Sequence, residues 1–76
     1  INVGTNPRGI AAGPLGSDRL YVCNYLSNNV SVINTSSDTV ISAPAAGGNP
    51  IGAAVSPDGS RLYVANFGPH TLTTLD

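Results

Sequence analysis

Lysine, glutamate, methionine and tryptophan are all missing from this 76-residue chain, which carries only three Arg and four Asp and a formal net charge of −1. Each absence removes a class of answer. Helical repeats are built from Ala, Leu, Glu, Lys and Met, and three of those five are unused here while nine Gly and six Pro interrupt any 3.6-residue pattern. Without a basic surplus there is no stripe to neutralise nucleic-acid phosphates and no polybasic face for anionic lipid. No apolar run approaches the roughly 20 residues of a bilayer-spanning helix, so membrane insertion is not expected. Nor is a signal peptide present, and a chain opening on Ile1 reads as a processed product, an excised fragment or the ordered part of something longer.

The chemistry is equally sparse. One cysteine, Cys23, cannot form an intramolecular disulfide. With no Glu and no closely spaced Asp pair, a carboxylate dyad for acid–base catalysis cannot be nominated. There is no GxSxG nucleophile elbow. A lone histidine, His70, cannot build a multi-histidine metal site, and the scattered aspartates have no ligand spacing. No cofactor, metal or catalytic residue is therefore expected.

What is present is a repeat. Residues 6–24, NPRGIAAGPLGSDRLYVCN, return at 49–66 as NPIGAAVSPDGSRLYVAN. The offset is 43 up to Ser17 and 42 from Arg19 onward, which marks Asp18 as a one-residue insertion in the first copy. Of 30 paired positions between Gly4 and Asn34, 13 are identical. A period of this length belongs to propeller blades or to helical arrays, and composition has already removed the second. Short runs of Val, Ile, Leu, Tyr and Thr alternate with Gly, Pro, Asn, Asp and Ser clusters, the signature of an all-β repeat.

Four strands per unit are expected: a at residues 9–12 and 52–56, b at 19–23 and 61–65, c at 30–34 and 72–76, and d at 39–45, with residues 1–3 as a stub of a preceding d. Blade 1 then covers about 4–46 and blade 2 about 47–76, lacking its last strand. In SPDGS, Pro57 presets φ for a turn and Gly59 accepts a positive φ, while the longer GPLGSD calls for a bulge or wider loop. Strand b places Leu20 and Val22 on one face and Tyr21 and Cys23 on the other, so both faces are apolar. Cys23 reads as a small core residue because Ala65 takes its place in the second copy. Pro44 cannot donate to a ladder and puts strand d at a sheet edge.

The string Ser56-Pro57-Asp58-Gly59-Ser60-Arg61-Leu62-Tyr63-Val64-Ala65-Asn66 resembles the YVTN family of β-propeller repeats. So do Arg19-Leu20-Tyr21-Val22-Cys23-Asn24 and the following Ser27-Asn28-Asn29-Val30-Ser31-Val32-Ile33-Asn34, whereas Gly68-Pro69-His70-Thr71-Leu72-Thr73-Thr74-Leu75-Asp76 is a weaker version. The resemblance implies an all-β fold of propeller blades in a secreted or cell-surface protein of bacteria or archaea, often without a defined activity, and the leading expectation is a non-enzymatic structural or interaction module. It also leaves two alternatives of another kind, a fragment of a lactonase-like propeller enzyme and a carbohydrate-binding propeller.

A pair of blades leaves two apolar faces open, so the expected partners are further blades, from the same parent chain or from copies joined head to tail in a ring or filament. An even ring of six or eight blades would need three or four copies. The d-to-a and b-to-c loops should share one rim, where Arg8, Tyr25, Phe67 and His70 are the side chains that the repeat does not dictate. Arg8 offers a guanidinium to an anion, and Tyr25 with Phe67 an aromatic ledge to a glycan or protein ligand. The bland readings are a solvated arginine, packing of the two rings between blades, and an exposed imidazole. Asn24 and Asn66 read as structural turn residues; Asp18, Arg19, Asp58 and Arg61 read as turn bonds or weak ion pairs. The sequons Asn29-Val30-Ser31 and Asn34-Thr35-Ser36 permit N-glycosylation in a suitable host.

Overall fold

Alternating apolar positions and polar turns produce seven strands and no helix in the computed structural model, which describes residues 1–76. They are β1 Pro7–Ala12, β2 Arg19–Asn24, β3 Asn29–Asn34, β4 Thr39–Ser42, β5 Pro50–Val55, β6 Leu62–Asn66 and β7 Thr71–Leu75. Strands β1 to β4 form one antiparallel sheet in sequence order and β5 to β7 a second. The repeat is thus two meanders, the first of four strands and the second of three.

The a and d strands depart most from their expected boundaries, the others by one residue. Both a strands begin two residues early, because a β-bulge lies between Pro7 and Gly9 in β1 and between Pro50 and Gly52 in β5. Arg8 is therefore a bulge residue inside β1 and not a loop residue; an extra residue in a strand is left unpaired and re-aimed, which in sequence is indistinguishable from a loop. Strand d ends at Ser42 instead of Ala45, after a register shift that leaves Ile41 unpaired. Beyond it, Pro44 accepts a bond from the Val30 N–H at 3.1 Å and Ala45 bridges Asn29. Residues 1–3 form no strand, since the sheet edge that their counterparts 44–46 line in the first unit has no equivalent beside them.

The turns follow their residues. In the second unit Gly59 N–H closes onto Ser56 O at 2.9 Å with Gly59 at φ 78°. In the first, the inserted Asp18 takes φ 55° and stands outside the turn closed by Ser17 N–H on Pro14 O.

The core lies between the two sheets. Cys23 and Val30 of the first meet Leu62 and Val64 of the second, all four buried, with Tyr21, Ala46, Ala53, Val55 and Leu75 packed around them. Burial leaves the Cys23 thiol at 0% exposure and pushes its pKa up, which suits a core residue and not a nucleophile. β1 and β5 approach most closely: a Cβ on Gly9 would meet the carbonyl oxygen of Ile51 and stand 3.0 Å from Gly52 Cα. Gly9→Ala should accordingly destabilise the fold by about 1–3 kcal/mol, the usual cost of forcing atoms into a packed site, measured by thermal or urea unfolding against the parent chain.

Candidate functional site

The most constrained polar groups are the two asparagines that end the b strands. Asn24 is 0% exposed and Asn66 3%. Asn24 Nδ2 donates to Asn29 Oδ1 and to Ser31 Oγ, both at 2.9 Å, while its Oδ1 accepts the Gly4 N–H at 3.1 Å. Asn66 repeats this with Thr71 Oγ1 at 3.2 Å, Thr73 Oγ1 at 2.7 Å and the Gly47 N–H at 3.2 Å. The structural role expected of both holds, but the partners differ from a local turn bond: each carboxamide ties the segment entering its sheet to the neighbouring c strand. Glycine is required at the tied position, because a Cβ on Gly4 would lie 2.6 Å from Asn24 Cγ.

The same end of the sheets carries the four side chains singled out from the sequence. Arg8, aimed outward by its bulge, lays its guanidinium 4.5 Å from the centroid of the Tyr25 ring and donates from Nε to Asn6 Oδ1 at 3.3 Å. This cation–π contact was not legible from the repeat, since Arg8 and Tyr25 are seventeen positions apart in sequence. Tyr25 is half-buried, and its carbonyl accepts from Asn49 Nδ2 at 3.2 Å. Asn49 N–H in turn donates to Asn28 Oδ1 at 2.9 Å, so the loops of the two units are bonded across this end. Phe67 is 54% exposed within this chain. His70 is exposed at φ 58°, the left-handed place that Asn28 fills in the first unit at φ 57°. The structure therefore joins Arg8 to Tyr25, and gives Phe67 and His70 no such partner.

Concave surface lies elsewhere. A cleft of about 340 Å³ opens between the sheets and is lined by Tyr21, Val32, Pro44, Leu62 and Leu75, with Arg61 and Asp76 beside it. Those two form an ion pair at 3.6 Å in which both side chains are more than half exposed, so it contributes little. Nearby, Asp58 Oδ1 accepts from Ser56 Oγ at 2.8 Å, Ser60 Oγ at 2.8 Å and the Ser60 N–H at 3.1 Å, as expected of a turn aspartate. Arg19 donates to the Asp18 carbonyl at 3.1 Å and not to its carboxylate. No group of three His, Cys, Asp or Glu side chains comes together. Of the sequons, Asn29 is bound to Asn24, whereas Asn34 uses its Oδ1 to accept the Ser36 N–H at 2.9 Å in an exposed turn.

Two outcomes follow from these contacts. Asn24→Ala removes three bonds worth about 1 kcal/mol each and should cost about 3 kcal/mol, read by denaturant unfolding. The bonds from Ser60 and Ser56 hold the Asp58 carboxyl down to about 2. Because that value lies below the unfolded one of about 3.9, the contribution of Asp58 is present above pH 4 and is lost as pH falls through 2. An NMR titration of the Asp58 carboxyl should show the low midpoint, and Ser60→Ala should move it upward.

No family model matches the sequence, and no curated protein does. Among solved structures, a chain described as Kuenenia stuttgartiensis hydrazine synthase superposes on the whole of this chain with a TM-score of 0.90 and 28% sequence identity, and these 76 residues span 22% of its length.

Proposed function

We propose that these residues are two blades of a β-propeller of the YVTN type and act as a non-enzymatic interaction module, secreted or displayed at a cell surface. One observation carries the reading: the duplicated Asn24 and Asn66 networks hold two meanders in the same relation to their entering segments. Their sheets are already packed face to face. Such a unit is extended by adding further sheets on the same plan, whether from a parent chain or from other copies. Its rim of bonded loops is then the surface offered to ligands.

Two alternatives differ in what they ask of the rim. A carbohydrate ledge needs a bare aromatic face, and the Arg8 guanidinium already lies over Tyr25, which leaves Phe67 as the available ring. A second reading, as part of an enzyme, is favoured by the name of the hydrazine synthase whose chain contains a matching segment; the groups for chemistry would then stand outside these 76 residues.

The module reading is tested by mass. Light scattering of the isolated chain should give assemblies at multiples of 7.6 kDa. A cooperatively folded monomer of that mass would count against self-association as the way its faces are covered.

A further inference from the structure

Charge is segregated along the strands. The registers put Pro7, Asn24, Pro50 and Asn66 at one end of the sheets and Ala12, Asn34, Val55 and Leu75 at the other. Asp18, Asp38, Asp58 and Asp76, with Arg19 and Arg61, all stand at turns or strand ends of the second end, four carboxylates against two guanidiniums. The single ion pair of the fold, Arg61 with Asp76, is there too. Of the three Arg and four Asp only Arg8 is left, alone at the first end.

Arg8 is exposed but not loose. Its Nε donates to Asn6 Oδ1 at 3.3 Å and its guanidinium lies 4.5 Å from the Tyr25 centroid, while the Tyr25 N–H donates to Asn6 O at 2.9 Å. One edge and one face of the planar group are thus held, and its two terminal nitrogens donate to no group of the chain. A guanidinium fixed in this way offers a carboxylate a two-pronged fork and loses little freedom on binding it.

The second unit sets an apolar surface beside the fork. Ile51 and Phe67, both exposed, take the places of Arg8 and Tyr25, and Phe67 N–H donates to Asn49 O at 2.9 Å as Tyr25 does to Asn6. Asn49 Nδ2 also reaches the Tyr25 carbonyl, and a Cβ on Gly9 would meet the Ile51 carbonyl oxygen, so the two pairs adjoin. Leu26, next to Tyr25, is exposed as well. This end therefore presents one oriented cation among large apolar side chains and no carboxylate.

We infer that it binds an acidic segment of a protein partner, a carboxylate side chain of the segment taking the Arg8 fork while its apolar neighbours lie on Ile51 and Phe67. The inference rests on the interaction-module reading and supplies the partner and the residues that hold it. A peptide fits better than a small acid, because both clefts of the molecule border Arg61 at the far end and the surface around Arg8 has no walls to enclose a small molecule. Arginine and aromatic anchors are the groups that open protein-binding surfaces use.

The probe is a capped, fluorescent octapeptide alternating aspartate with leucine and phenylalanine, compared by anisotropy with its asparagine counterpart on the 76-residue chain. The acidic peptide should bind at least tenfold more tightly at low salt, and the preference should shrink as salt screens the pair. Arg8→Ile copies the second unit and removes no strand pairing; it should leave the circular dichroism spectrum unchanged and abolish the preference. Ile51→Arg copies the first unit beside Phe67 and reads the site by gain, raising affinity for the acidic peptide roughly threefold or more. Equal binding of the two peptides, no binding of either, or a preference that survives Arg8→Ile overturns the inference. So does tighter binding of a polyuronate, which gives the fork to a glycan, or loss of chain-to-chain association in Arg8→Ile with peptide binding intact, which gives it to a second copy. None of these outcomes decides the module reading, which is tested by mass.

Discussion

Everything in the architecture leans on a buried carboxamide. Asn24 and Asn66 have almost no access to water, and a buried amide that lost its partners would pay the desolvation cost of each unmatched donor and acceptor. Both donors and the acceptor are matched, and that demand propagates outward. It calls for a hydroxyl or amide at residues 29, 31, 71 and 73, and for residues without side chains at 4 and 47. It also pins register, because a one-residue slip of a b strand would turn the asparagine to the other face and orphan all three bonds.

Much of this was legible in the sequence, and what was not has a common cause. The two-residue alternation in Leu20-Tyr21-Val22-Cys23 located β2 to within a residue, and the double offset of the repeat isolated Asp18, which the structure holds at positive φ. Pro44 announced an edge, and it sits beside one. The features that escaped are non-local or mimic something local. A bulge adds one residue and so looks like loop; the partner of Asn24 lies 20 positions away at Gly4; and Arg8 reaches Tyr25 because the fold brings their two ends together. In the rim set, the placement at one end was readable from strand order, whereas the exposure of Phe67 depends on what does or does not pack over it.

The distribution of polar chemistry explains why the surfaces, more than any cluster of side chains, carry the functional reading. The charged groups are engaged within the fold: Asp58 in its turn, Arg8 with the Tyr25 ring and Asn6, Arg61 in a solvent-exposed pair. The buried polar groups are spent on each other. Large apolar side chains remain in contact with water on the sheets, Ile10 and Leu72 among them.

The bulges at Arg8 and Ile51 have one more implication. Each inserts a residue that no neighbouring strand pairs with and that the packing register ignores, and the two copies fill the same place with a cation and with an aliphatic group. Sequence can drift there without disturbing what lies beneath. The asparagines, the close-packed glycines and the alternating core are each held by a partner, whereas the extra residue of each bulge is not, so its side chain can change in size and charge at little cost to the scaffold.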